Sequence, residues 1–133
     1  MSSAPPALPK GIPDCLKKRQ LLNEQVLSPD LCREYGRKFL ELGWREDALE
    51  FFKKGGMADE LAKLKAECLE TGDAFLLGRL GPQTPEDWRR VGERALALDK
   101  LFFARRAFEV AGDDDKTAMV AGLIAGQTTA TDG

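Results

Sequence analysis

The chain has 133 residues, 32% of them charged, with 20 lysines and arginines against 22 aspartates and glutamates. That length suits one domain with a core of ordinary size, and a net charge of −2 recommends neither nucleic acid nor an anionic membrane as a partner. No histidine is present, which removes the commonest general base and metal ligand.

In chain order, residues 1–11 hold three of the seven prolines and read as a flexible lead-in. The start, MSSAPPALPKGIP, lacks the apolar core of a signal peptide, so a soluble cytoplasmic protein is the expectation. A single helical domain is expected over residues 12–126. Its first helix begins at Pro13, with Cys15 or Leu16, Gln20, and Leu21 or Leu22 facing inward. Lys17-Lys18-Arg19 reads as a solvated face, because no aromatic residue interleaves with it.

A helix follows from about Pro29 to Leu42, then another from Arg45 to Lys54, where Lys53 and Lys54 suit the negative end of the helix dipole and Gly55-Gly56 terminates it. A third helix runs from Ala58 to Glu70, with Met57, Leu61, Leu64 and Cys68 on one stripe, and Gly72 ends it. Residues 73–80, DAFLLGRL, form a short apolar helix before the Gly81-Pro82 break. Thr84 and Pro85 then open a helix as N-cap and first helical residue, and Trp88, Val91, Ala95 and Leu98 share one of its stripes. After a polar break at Asp99-Lys100, a second stripe holds Leu101, Ala104, Phe108 and Ala111, with Gly112 as its stop. A last helix runs from Asp113 to Ala125. The Asp113-Asp114-Asp115 run caps it and does not bind calcium, since it lacks the spacing and glycine of an EF-hand loop. Residues 127–133 read as a frayed tail. The three cysteines fit no metal or redox spacing, and Cys32 and Cys68 read as buried structural thiols.

Shifting the chain by 56 positions lays Ser28–Gly56 on Thr84–Gly112 without a gap. From Ser28 to Ala62, ten of 35 pairs are identical, against roughly two or three expected from composition. Arg33 meets Arg89, Gly36 meets Gly92, Leu40 meets Leu96, Phe52 meets Phe108 and Asp59 meets Asp115. An internal duplication is therefore expected, with units of about 28–72 and 84–126. Phe51-Phe52 and Leu101-Phe102-Phe103 place large side chains on successive helical directions, more than one stripe holds. Whichever of Phe51 and Phe102 is left in solvent would mark an association patch.

Trp88, Val91, Gly92, Ala95, Ala104, Phe108 and Ala111 resemble the tetratricopeptide pattern; in the first copy these positions hold Cys32, Tyr35, Gly36, Phe39, Ala48, Phe52 and Gly55. The resemblance covers the two hairpins and comes with a longer repeat than the family's. It implies an all-α fold of helical hairpins stacked as a short right-handed α-α superhelix, of roughly eight helices in all.

The resemblance further implies a non-enzymatic interaction module, an adaptor or scaffold that binds a peptide or protein segment on a concave surface lined by the first helix of each hairpin. The candidate partner-binding residues are Arg33, Arg37, Leu40, Arg89, Glu93 and Leu96. Paired guanidinium groups suit an acidic segment, which they clasp through two hydrogen bonds; alternatively, both arginines pair with neighbouring glutamates. Self-association through exposed Phe and Leu is the competing function, and a carboxylate-based enzyme the remote one. No cofactor, metal, nucleic acid or membrane is expected.

Overall fold

A computed structural model of the chain describes residues 11–23 and 26–132, with side chains as far as Gln127. Among these residues there are eight α-helices and no strand: α1 Cys15–Asn23, α2 Pro29–Glu41, α3 Arg45–Lys54, α4 Ala58–Thr71, α5 Ala74–Arg79, α6 Pro85–Ala97, α7 Leu101–Ala111 and α8 Asp114–Asp132. The expected all-α class holds. Most of the lead-in, residues 1–10, lies outside the described residues. The chain divides into two compact units, Met1–Leu61 and Ala62–Gly133, with the boundary inside α4.

In the first unit the α2–α3 hairpin supplies the core. Phe39, Phe51 and Phe52 are fully buried, with Cys32, Ala48 and Leu49 beside them. Phe52 lies against Gly36, the one residue small enough to admit its ring. Phe51 stacks on Phe39 at 5.6 Å and tilts against Tyr35 at 5.3 Å. Both phenylalanines of the pair are thus absorbed, although a single helical stripe could not hold them. Helix α1 starts at Cys15, later than the expected Pro13, because the Lys17 N–H donates to the Asp14 carboxylate at 2.8 Å and makes Asp14 the cap. Its inward residue is Leu21; Cys15 and Leu16 are exposed. The Lys54 ammonium ties α3 to α1 by donating to the Leu22 carbonyl at 2.8 Å.

The second unit repeats the hairpin in α6–α7. Phe108 packs under Gly92 as Phe52 does under Gly36, and Val91, Ala95, Ala104 and Ala107 close the core. The local structure recurs in detail at the expected 56-residue shift. Ser28 and Thr84 cap their helices through hydroxyls that accept from the third N–H, at 3.2 and 3.1 Å. The Trp44 and Lys100 N–H groups donate to the Phe39 and Ala95 carbonyls at 3.0 and 2.8 Å. Gly56 and Gly112 end the second helices at φ 65° and 76°, a conformation that L side chains resist. The shift extends beyond the hairpins: Leu21 of α1 and Leu77 of α5 are both buried, as are Leu64 of α4 and Val120 of α8. Thr84→Ala is expected to destabilise the chain by about 1 kcal/mol, and Thr84→Asp to leave it unchanged. Urea titrations of both variants check this; equal midpoints would mean that the cap contributes nothing.

Helix α8 runs to Asp132, past the expected stop at Ala125. No proline interrupts it, and Gly126 alone costs a helix only about 1 kcal/mol. The Asp113 carboxylate accepts from the Lys116 N–H at 3.1 Å, so the acidic run caps this helix as expected. Of the two candidate aromatics, Phe102 is the exposed one, at 59%.

Candidate functional site

The outward side of α2 carries the first candidate residues. The Arg33 guanidinium grips Asp59 through two nitrogens, at 2.8 and 3.2 Å, and also donates to Glu60 at 2.9 Å. Arg37 donates to the same Glu60 oxygen through Nε at 3.0 Å and Nη2 at 2.8 Å. Three hydrogen bonds therefore converge on Oε1 of Glu60, a carboxylate only 4% exposed. A charge so far removed from water persists because two cations and this set of donors compensate it. The Arg33 hydrogen bond holds the Asp59 carboxyl below the usual carboxylate range, and Arg33 is raised in turn by its bond to Asp59. These arginines pin α2 to the first turn of α4. Along the same stretch of α2 runs an open depression of about 360 Å³, lined by Asp30, Arg33, Glu34, Arg37, Lys38 and Glu41.

In the second unit, two of these four positions carry reversed charges, while Arg89 and Asp115 keep the signs of Arg33 and Asp59. Glu93 stands in place of Arg37 and Lys116 in place of Glu60, and the Lys116 ammonium donates to the Glu93 carboxylate at 2.8 Å. The helix pair is pinned at the same point with the signs exchanged. Lys116 is raised by its hydrogen bond to Glu93, against a smaller opposing influence from the neighbouring Arg89 cation. Arg89 corresponds to Arg33 but makes no hydrogen bond or ion pair among the described residues. Where Arg33 meets a buried carboxylate, Arg89 meets a lysine.

The two leucines among the candidates are half-buried, and Leu96 packs against the core formed by Ala95, Leu101, Ala104, Phe108 and Val120. The structure thus brings Arg33 and Arg37 together on Glu60, gives Glu93 to Lys116, and leaves Arg89 facing outward. Glu60 and Lys116 are the residues that the sequence reading passed over. Their signal was present, since the 56-residue shift pairs Arg37 with Glu93 and Glu60 with Lys116, a reversal of sign at two positions together.

Elsewhere in the first unit, a cleft of about 780 Å³ lies between α1 and α3, lined by residues including Lys18, Arg19, Lys53 and Lys54, with Glu50 among them. Lys18 is committed to Asp47 and Lys54 to a backbone carbonyl. Among the described residues no three His, Cys, Asp or Glu side chains cluster as metal ligands, and no helix is long and apolar enough to cross a membrane. No family model matches the chain, and comparison with curated proteins and with solved structures returns no match.

Proposed function

We propose that the chain is a non-enzymatic, tetratricopeptide-like interaction module, an adaptor or scaffold of the cytoplasm, which holds an acidic protein segment on the outward side of α6. The observation that carries this reading is the contrast between Arg33 and Arg89. Arg33 shows what a guanidinium at this position engages: two carboxylates, one of them by two hydrogen bonds. Arg89 has the same position in its hairpin and a lysine where the buried carboxylate would be; Asp115 stands in the place of Asp59, yet Arg89 has no internal acceptor among the described residues. A glutamate, aspartate or chain terminus from a partner supplies the missing charge, and guanidinium matches its two oxygens. Because the buried stripe of α6 is locked by Trp88, Val91, Gly92 and Ala95, Arg89 is presented from a rigid element, which reduces the ordering cost of binding.

The test is fluorescence anisotropy with a labelled octaglutamate peptide, and octaglutamine as control. Arg89→Ala is expected to weaken octaglutamate binding by ~10-fold or more, in line with a charge-assisted hydrogen bond of about 1.5–3 kcal/mol. Arg89→Lys recovers part of the affinity, since it keeps the charge and loses the fork. Equal affinity for octaglutamine, or no effect of Arg89→Ala, overturns the reading.

A further inference from the structure

No charged residue lies between Lys116 and Asp132. Helix α8 is apolar or neutral all round over this length, yet among the residues with described side chains one side is covered and another is not: Val120 is buried and Ile124 packs against the α6–α7 core, whereas Met119 and Leu123 are 47% and 46% exposed. A helix with apolar residues on every side belongs between two neighbours.

The duplication says what the second neighbour is. Helix α4 is the counterpart of α8, and inside the second unit its later turns are tied to α6 and to the turn that follows it. Lys65 pairs with Asp87 at 2.9 Å, Arg94 donates to the Glu70 carbonyl at 2.7 Å, and Lys100 donates to the Thr71 carbonyl at 2.6 Å. Gly72 lies against the Ala95 backbone so closely that a Cβ there would stand 2.6 Å from it. The counterpart of α6 is α2. By the 56-residue shift, Ala121 takes the place of Lys65 and Leu31 that of Asp87. Both members of one ion pair are thus replaced together by apolar residues. Lys63 and Glu67 likewise become Met119 and Leu123, and Lys100 becomes Trp44, which is 43% exposed. Two ends that faced only water would not lose matched charges in step.

We infer that α8 of one molecule docks on the α1–α2 end of a second copy of this chain, repeating between molecules the contact that α4 makes with α6 within one. The contact is heterologous, because the surface on α8 and the surface on α2 are different, so it propagates into rings or linear assemblies. The contact rests on Leu31, Met119 and Leu123 and not on Arg89, so either proposal can fail alone, and anisotropy and mass report on them independently.

Light scattering on the full chain tests it, with variants that borrow residues from the chain's other copy and so suit a helix of this kind. Met119→Lys with Leu123→Glu restores the charges of α4 at the tail; Leu31→Asp restores that of α6 at the head. The parent is expected to at least double in mass between micromolar and millimolar concentration, and each variant to stay monomeric with unchanged helicity. An equimolar mixture of the head and tail variants is expected to form a dimer and nothing larger, since each retains one intact end. A parent that stays monomeric at millimolar concentration overturns the inference, as does a mixture that remains monomeric; a Leu31→Asp variant that dimerises by itself also overturns it and would point to α8 pairing with α8.

Discussion

Gly36→Ala is expected to lower stability by about 3 kcal/mol, at the upper end for a strained core, while the same change at Gly122 raises it. Alanine is favoured over glycine within a helix by about 1 kcal/mol. At Gly122 that preference acts alone, because a Cβ there meets nothing within 4 Å. At Gly36 a Cβ would fall inside the van der Waals shell of the Phe52 ring, with two further ring carbons at 2.6 and 2.8 Å. Phe52 is fully buried, so its ring has nowhere to retreat without displacing its neighbours. Gly92 is the intermediate case. The Phe108 carbons would stand at 2.9, 3.0 and 3.1 Å, and a net loss of about 1 kcal/mol or less is expected once helix propensity offsets the crowding. Gly92→Leu adds bulk beyond the Cβ and is expected to cost about 3 kcal/mol. Urea titrations followed by circular dichroism should rank the alanine variants Gly122, parent, Gly92, Gly36, from most stable to least. A Gly36→Ala protein as stable as Gly122→Ala would mean that α2 and α3 do not approach as described.

Those glycines show why so much of the fold was legible in the sequence. A helix that must admit an aromatic ring needs glycine at one position and phenylalanine sixteen residues later, and the chain carries that pair twice, at 36 and 52 and at 92 and 108. Caps are equally local: Ser28-Pro29 and Thr84-Pro85 announce helix starts because hydroxyl acceptor and pre-set φ act on adjacent residues. The candidate site was less legible, since pairing between helices depends on side chains brought together from a distance. Arg33 and Arg37 stand out in the sequence through the duplication and the helix lining that the tetratricopeptide resemblance implies, and only the fold brings Glu60 between them. The duplication could have supplied that link, because a pair of positions that changes sign together is a contact. Termini of helices went astray where two signals competed. Asp14 outweighed Pro13 as the start of α1, and the threonine-rich stretch after Gly126 contains nothing strong enough to stop α8.

That sign reversal leads to a charge-swap experiment. Glu60→Ala is expected to cost about 3 kcal/mol, the lower end for breaking a buried pair, because Arg37 is itself half exposed. Glu60→Lys is expected to cost more, since it removes the acceptor of three hydrogen bonds and sets a third cation beside Arg33 and Arg37. Adding Arg37→Glu to that variant copies the arrangement of the second unit, where Glu93 receives Lys116 while Arg89 stands beside it without an acceptor among the described residues. The double variant is expected to recover at least half of the stability lost by Glu60→Lys, and Arg33→Ala added to it to cost little further, because its remaining pair with Asp59 is largely exposed. Urea midpoints of the four proteins decide the matter. A double variant no more stable than Glu60→Lys would show that the two units are pinned by different means. Recovery would instead establish that one joint between helices has been written twice, with the signs of its Arg37–Glu60 pair exchanged.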